Sequence, residues 1–369
     1  MRISLVLGRS LVVLGSLGAA VLFAETALRA THLGWLNPWV AGYSGRAGFA
    51  EGRGFYDYSC NREGFRSRGL DDIPKDGFRL AVLGDSNAWG SGIDDSRRVG
   101  DLVAQGLTTT GLPTRAWTFA WPSTTYREFR LQYDRARRIA PHLVIVLGTA
   151  GNDFLEILHP PSLPRSWQPV LRSPTIKERL RTLHVYNLLA RLAARRPAAR
   201  GEVRLGSGRC SILFGDPTMP AYTQSPRQAC ELAAPDARAK AIAATLGDAR
   251  ALVARMKRDR APFLLLEVPS RLRTECAGDD YTARILEARS QSVADVAALE
   301  ESLVSALATG IEGATLQNPL NVLAPACATA YFPHDWHLAP DGHRRLAEWL
   351  VPLAARTLRS ASDPKAPGR

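Results

Sequence analysis

The chain is poor in sulfur, with three methionines and five cysteines among 369 residues. The cysteines are Cys60, Cys210, Cys230, Cys276 and Cys327, and they include no C-x-x-C pair. That spacing excludes the usual zinc and dithiol redox patterns. No internal repeat is present, which argues against solenoids and propellers. The net charge is +12, from 47 basic and 35 acidic residues, yet no nucleic-acid-binding motif accompanies it. Nucleic acid is therefore not expected as a partner; composition bias and attraction to an anionic membrane or acidic glycan both account for the charge.

What is present begins with a targeting segment. Arg2 and Arg9 precede an apolar run from Ser10 to Ala24, a positive n-region followed by an h-region. Counted from Ile3, with Arg9 snorkelling, the run reaches bilayer length. The segment is expected to be an uncleaved inner-membrane anchor over residues 3–24, with cleavage after Ala20 or Ala24 as the alternative. Either way the arginines stay inside and the body is exported. An exported chain permits disulfides. Cys210–Cys230, across a Gly/Pro/Ser-rich stretch, is the first expected pair and Cys276–Cys327 the second, leaving Cys60 over.

The body alternates strand and helix signals. Leu80–Leu83, Leu143–Leu147 and Phe263–Val268 are short apolar runs of the kind that form buried parallel strands, and Arg115–Trp121 alternates. Helical spacing covers Asp95–Thr108, Tyr126–Ile139, Pro235–Lys257, much of Tyr281–Leu307, and a last helix opened by Pro340. Asn321–Leu323 reads as a short edge strand. Strands alternating with helices predict an α/β fold, a three-layer α/β/α sandwich around a central parallel sheet. The expected organisation is a signal segment at 1–30, a loop-rich lead-in at 31–76, the catalytic domain at 77–357 and a polar tail at 358–369. A Pro- and Gly-rich insertion, with an amphipathic helix at Lys177–Arg196, interrupts the domain at about 154–234.

The first strand runs directly into Gly84-Asp85-Ser86, with Gly90 and Gly92 following. A strand ending in a tight turn presents one side chain at the carboxyl edge of the sheet, where open α/β sheets bind ligands. Here that side chain is a serine, a nucleophile if a base reaches it. Further along lie Asn152, in Ala150-Gly-Asn-Asp153, and Asp335-Trp-His337 just before the last helix. In an extended loop, residues two apart point the same way, so Asp335 can orient His337. His334 and His343 are the other histidines near this position; Asp85 and Asp153 read as structural carboxylates that bond nearby backbone N–H groups, and Asp94 and Asp95 as a solvated helix start.

These blocks, in this order, resemble those of the SGNH, or GDSL, hydrolases. The resemblance covers roughly Asn61–Arg356. It implies Ser86 as nucleophile, His337 as general base and then acid, and Asp335 as its orienting carboxylate. It also implies an oxyanion hole formed by the N–H of Ser86, an N–H near Ser123 and the Asn152 side chain. The chain departs from the family at Ala150, at Ser123 where glycine is usual, and in the D-x-H spacing, which also occurs in polysaccharide O-acetyltransferases. Asn61-Arg-Glu-Gly-Phe-Arg66 resembles a stretch ahead of the G-D-S block in exported bacterial members. It reads as a turn with Phe65 as an anchor and carries no assigned chemistry. No metal or organic cofactor is implied. The expected activity is hydrolysis of an acyl ester, acetyl among the candidates, outside the cytoplasm. An O-acyltransferase acting on an envelope polysaccharide and a non-catalytic glycan-binding protein are the alternatives.

Overall fold

The computed structural model describes residues 2–30, 45–48, 55–58, 60–61, 65–71, 73, 76–150, 157, 180, 183, 185–186, 188–189, 199–205, 208–214, 235–274, 283, 286, 292–332 and 337–362. Helix α1 (Arg2–Ala30) comes first, followed by the antiparallel pair β1 (Gly45–Gly48) and β2 (Phe55–Tyr58). The main sheet has five parallel strands: β3 (Phe78–Gly84), β4 (Thr114–Thr118), β5 (Leu143–Thr149), β8 (Phe263–Val268) and β9 (Leu316–Gln317), in the order β4-β3-β5-β8-β9. A second antiparallel pair, β6 (Ala199–Leu205) and β7 (Gly208–Phe214), forms its own two-stranded sheet.

β3, β5 and β8 bury both faces, as their continuous apolar runs predict. Leu80 and Val82 of β3 join Leu143, Ile145 and Leu147 of β5 in one core, with Val99, Val103 and Leu107 and with Leu346 and Leu350. These last residues belong to α3 (Val99–Thr109) and α7 (Pro340–Ser362), which pack on each other. Ala81, Leu83, Val144 and Val146 face the other way, against α4 (Tyr126–Ala136), α5 (Pro235–Arg258) and α6 (Val293–Gly310). The expected three-layer α/β/α sandwich is thus observed.

One local expectation, the edge strand Asn321–Leu323, differs from the structure. Leu320–Leu323 is a one-turn helix, not a strand. The Asn318 side chain accepts the Leu320 N–H at 3.0 Å, an Asx turn that starts a helix rather than continuing a strand. The edge strand is β9, which begins five residues before Asn321. Within the stretch expected as an insertion, β6 and β7 form a hairpin, whose signal is the Gly206-Ser207 pair between its strands.

Residues 3–24 lie within α1, whose Val12, Leu14 and Phe23 are exposed. Among the described residues no helix is long and apolar enough to cross a membrane. Cys327 is disulfide-bonded, and its partner lies outside the described residues, as do Cys230, Cys276 and the side chain of Cys210. Cys60 is half-buried against the first core.

Candidate active site

In sheet order β3 is flanked by β4 on one side and β5 on the other. The chain reverses direction across the sheet there, the topology at which open α/β sheets bind ligands beyond the carboxyl ends of the strands. Ser86 opens α2 (Ser86–Trp89) at this switch point. Gly84 makes the turn: a Cβ there would meet the Leu147 carbonyl oxygen at 2.4 Å and Ala88 Cβ at 2.6 Å. Asp85 caps the helix, its carboxylate accepting the Asn87 N–H at 2.9 Å, the structural role expected of it. Gly90, at φ +81°, ends the helix in the left-handed conformation.

The turn is clasped from three directions. Buried Gln132 of α4 accepts the Gly84 N–H at 2.8 Å and donates back to the Gly84 carbonyl at 2.9 Å. Trp121 N–H and Thr124 Oγ1 also donate to that carbonyl, at 3.0 and 3.1 Å. The segment carrying Ser123 therefore runs across the end of β3, beside Ser86. Ser123 sits at φ +58°, so the backbone keeps a conformation that favours glycine although the residue is serine.

Below α2 lies Arg66, which sequence reading left without a role. Its side chain is fully buried. It donates to the carbonyls of Trp89 at 3.3 Å and Gly90 at 2.6 Å, and also to Ile93 O and the Asp95 carboxylate. The guanidinium lies 4.8 Å from the centre of the Trp89 ring, a cation–π contact. Arg66 thus clamps the carboxyl end of the helix that begins with Ser86. Asp95 is not a merely solvated helix start; it neutralises a buried cation. Phe65 is the anchor expected, meeting Phe119 edge-on at 5.4 Å.

The base loop arrives from the far end of the chain. His337 is buried, with its carbonyl accepting the Phe332 N–H at 3.1 Å, and Leu338 bridges to Tyr331. The Leu338 N–H donates to Asn87 Oδ1 at 2.9 Å, 251 residues away in sequence. The same Asn87 side chain donates to Thr149 Oγ1 at the end of β5, at 3.0 Å. Ser86, Ser123 and His337 are therefore brought to one sheet edge. Asn152, Asp335 and His334 lie outside the described residues.

His343 does not face solvent. It is buried in α7 and its Nδ1 accepts the Val99 N–H at 3.2 Å. Burial, with the charges of Arg66, Arg98 and His337 nearby, pulls its pKa down to about 3, so it stays neutral. Glu267, near the carboxyl end of β8, is also buried and accepts the Tyr126 hydroxyl at 2.5 Å. Burial pushes its carboxyl up to about 8, with Asp85 and Glu300 adding to the rise and the Tyr126 bond opposing it. Sequence reading missed Asn87, Gln132, Arg66 and Glu267. The available signals were a polar residue on the apolar face of α4 and an acid inside the run Leu264–Val268.

No family model and no curated protein matches the chain. Among solved structures it is similar to the psychrotrophic esterase EstA from Pseudoalteromonas sp., at 9% identity over 76% of this chain and 98% of that one, with a TM-score of 0.38. It is similar to the lipase/acylhydrolase from Enterococcus faecalis at 11% identity over 78% and 98% of the two chains, TM-score 0.36. It is similar also to an extracellular lipase from Streptomyces rimosus at 12% identity over 76% and 99%, TM-score 0.36. At these identities and TM-scores, what the site does is read from this chain's own residues. Those residues, and the parallel sheet that carries them, resemble the SGNH hydrolases.

Proposed function

We propose that the chain is a serine esterase of the SGNH type. The observation that carries this reading is the Leu338–Asn87 hydrogen bond, which joins the residue after His337 to the residue after Ser86. In the proposed cycle, Ser86 Oγ attacks the ester carbonyl while His337 takes its proton. The oxyanion of the tetrahedral intermediate is met by the backbone N–H of Ser86, an N–H near Ser123 and the Asn152 side chain. As the first residue of a helix, Ser86 has no intrahelical acceptor for its N–H. The intermediate collapses, His337 returns the proton to the departing alkoxide, and water releases the acyl group by the same steps. Asp335 holds the other ring nitrogen of His337.

The test is turnover of short activated esters and labelling by a fluorophosphonate probe. Ser86→Ala is expected to abolish both while leaving the fold intact, a loss of several orders of magnitude in rate. His337→Ala is expected to lose nearly all turnover and His334→Ala to keep most of it. Near-normal turnover by folded Ser86→Ala overturns the reading. The D-x-H spacing favours a variant in which the acyl group passes to or from a sugar hydroxyl of an envelope polysaccharide; comparing transfer with hydrolysis on acetylated glycans separates the two.

The proposed location is outside the cytoplasm, held at the inner membrane by residues 3–24. The exposed apolar side chains of α1 and the disulfide at Cys327 support it. Membrane fractionation tests the anchor. Non-reducing peptide mapping tests the pairing, with Cys276 expected opposite Cys327 and Cys210 opposite Cys230.

A further inference from the structure

Asn87 is 2% exposed and its carboxamide joins three separate segments. It belongs to α2, next to the nucleophile. Its oxygen takes the N–H of Leu338, next to the base, at 2.9 Å. Its nitrogen donates to Thr149 Oγ1 at 3.0 Å, three residues before Asn152. The orientation of the amide is fixed chemically, because a backbone N–H can only be met by the oxygen. The Asn87 N–H is itself held by Asp85 at 2.9 Å, so the side chain starts from a fixed backbone.

A four-residue helix has almost no intrinsic stability. Its direction is set by what it is bonded to. The Phe332–His337 and Tyr331–Leu338 contacts fasten the base loop to residues 331–332. The Asn87 bond fastens the same loop to the nucleophile turn. We infer that Asn87 is a positioning residue, which sets the His337 ring against Ser86 and aligns both with the strand end leading to Asn152. This rests on the proposed roles of Ser86 and His337. It assigns no contact between Asn87 and the substrate.

A positioning role and a purely structural one separate in a fluorophosphonate experiment. The end point counts folded sites; the rate constant reports the reactivity of Ser86 within them. Asn87→Leu, close in size and unable to make either bond, is expected to be labelled to full stoichiometry with a rate constant lower by about 100-fold. Its kcat on p-nitrophenyl acetate should fall in the same proportion, with KM within about threefold of the parent. Thr149→Val keeps the Leu338 bond and loses the other. It should show the same signature at about tenfold, since the amide is then held on one side only. A labelling rate equal to the parent's in Asn87→Leu, with the damage confined to the labelled fraction or to Tm, overturns the inference. Should Asn87→Leu fail to fold, Thr149→Val decides: a parental rate constant in that variant overturns it equally. A folded parent inert to both the ester and the probe overturns the esterase reading and the inference with it, whereas an active parent with unaltered variants overturns the inference alone.

Discussion

At the scale of single residues, Ser123 is the position where backbone and side chain disagree. Its φ of +58° costs a residue with a Cβ about 1–2 kcal/mol. If the oxyanion donor here is a backbone N–H, the conformation matters and the side chain does not. Ser123→Gly removes the strain but adds back unfolded-state freedom worth about 0.4–1 kcal/mol. The expected result is a protein of equal or slightly higher thermal stability, with kcat within a few-fold of the parent. Ser123→Val asks a β-branched residue to enter the same conformation, which is far less tolerated; it should lose stability and turnover together. A Ser123→Gly variant that is stable but loses turnover by about 100-fold would move the catalytic contribution from the N–H to the hydroxyl.

At the scale of elements, the nucleophile helix depends on a residue twenty positions earlier. Arg66 meets the carbonyls at the carboxyl end of α2 and a partly exposed carboxylate. Removing it takes the guanidinium's hydrogen bonds from the buried Trp89, Gly90 and Ile93 carbonyls. Arg66→Met, of similar length, should therefore destabilise the fold on the order of 3 kcal/mol, and Arg66→Lys should recover little, because one ammonium cannot reach carbonyls spread over Trp89, Gly90 and Ile93. Chemical denaturation of the two variants checks this; parental stability in Arg66→Met would show the clamp to be idle. The contrast with Ser86 shows what was legible in the sequence. Buried parallel strands are apolar runs, so β3, β5 and β8 could be read from Leu80–Leu83, Leu143–Leu147 and Phe263–Val268, and the serine followed from its place at a strand end. Arg66, Asn87 and Gln132 act through bonds to backbone groups distant in sequence. A carbonyl acceptor leaves no mark on residue type, so those partners emerge only from the folded chain. Asn321–Leu323 reads as a strand because three residues are too few to separate the two periods, and the bond that decides for a helix comes from Asn318 outside them.

At the scale of the whole molecule, two buried groups tilt stability against pH in opposite directions. His343 is neutral in the fold down to about pH 3 but protonates near 6.5 when unfolded. Between those values the unfolded chain holds more protons, so this residue lowers stability as pH falls. Glu267 does the reverse. Its carboxyl keeps its proton in the fold up to about pH 8, against 4.5 in the unfolded chain. Between these the folded state holds more protons, so stability declines as pH rises. Glu267→Gln replaces a neutral acid with a neutral amide of the same shape. The amide oxygen can still take the Tyr126 hydroxyl, and its N–H groups suit a neighbourhood containing Asp85 and Glu300. At pH 5 the variant should melt close to the parent. From pH 5 to 8 its Tm should rise progressively above the parent's, because the parent alone carries the cost of withholding ionisation. The acid-side decline from His343 should persist in both proteins. Thermal melts at several pH values check this, and a Tm difference that stays flat from pH 5 to 8 would mean that Glu267 ionises in the folded protein as it does in the unfolded chain.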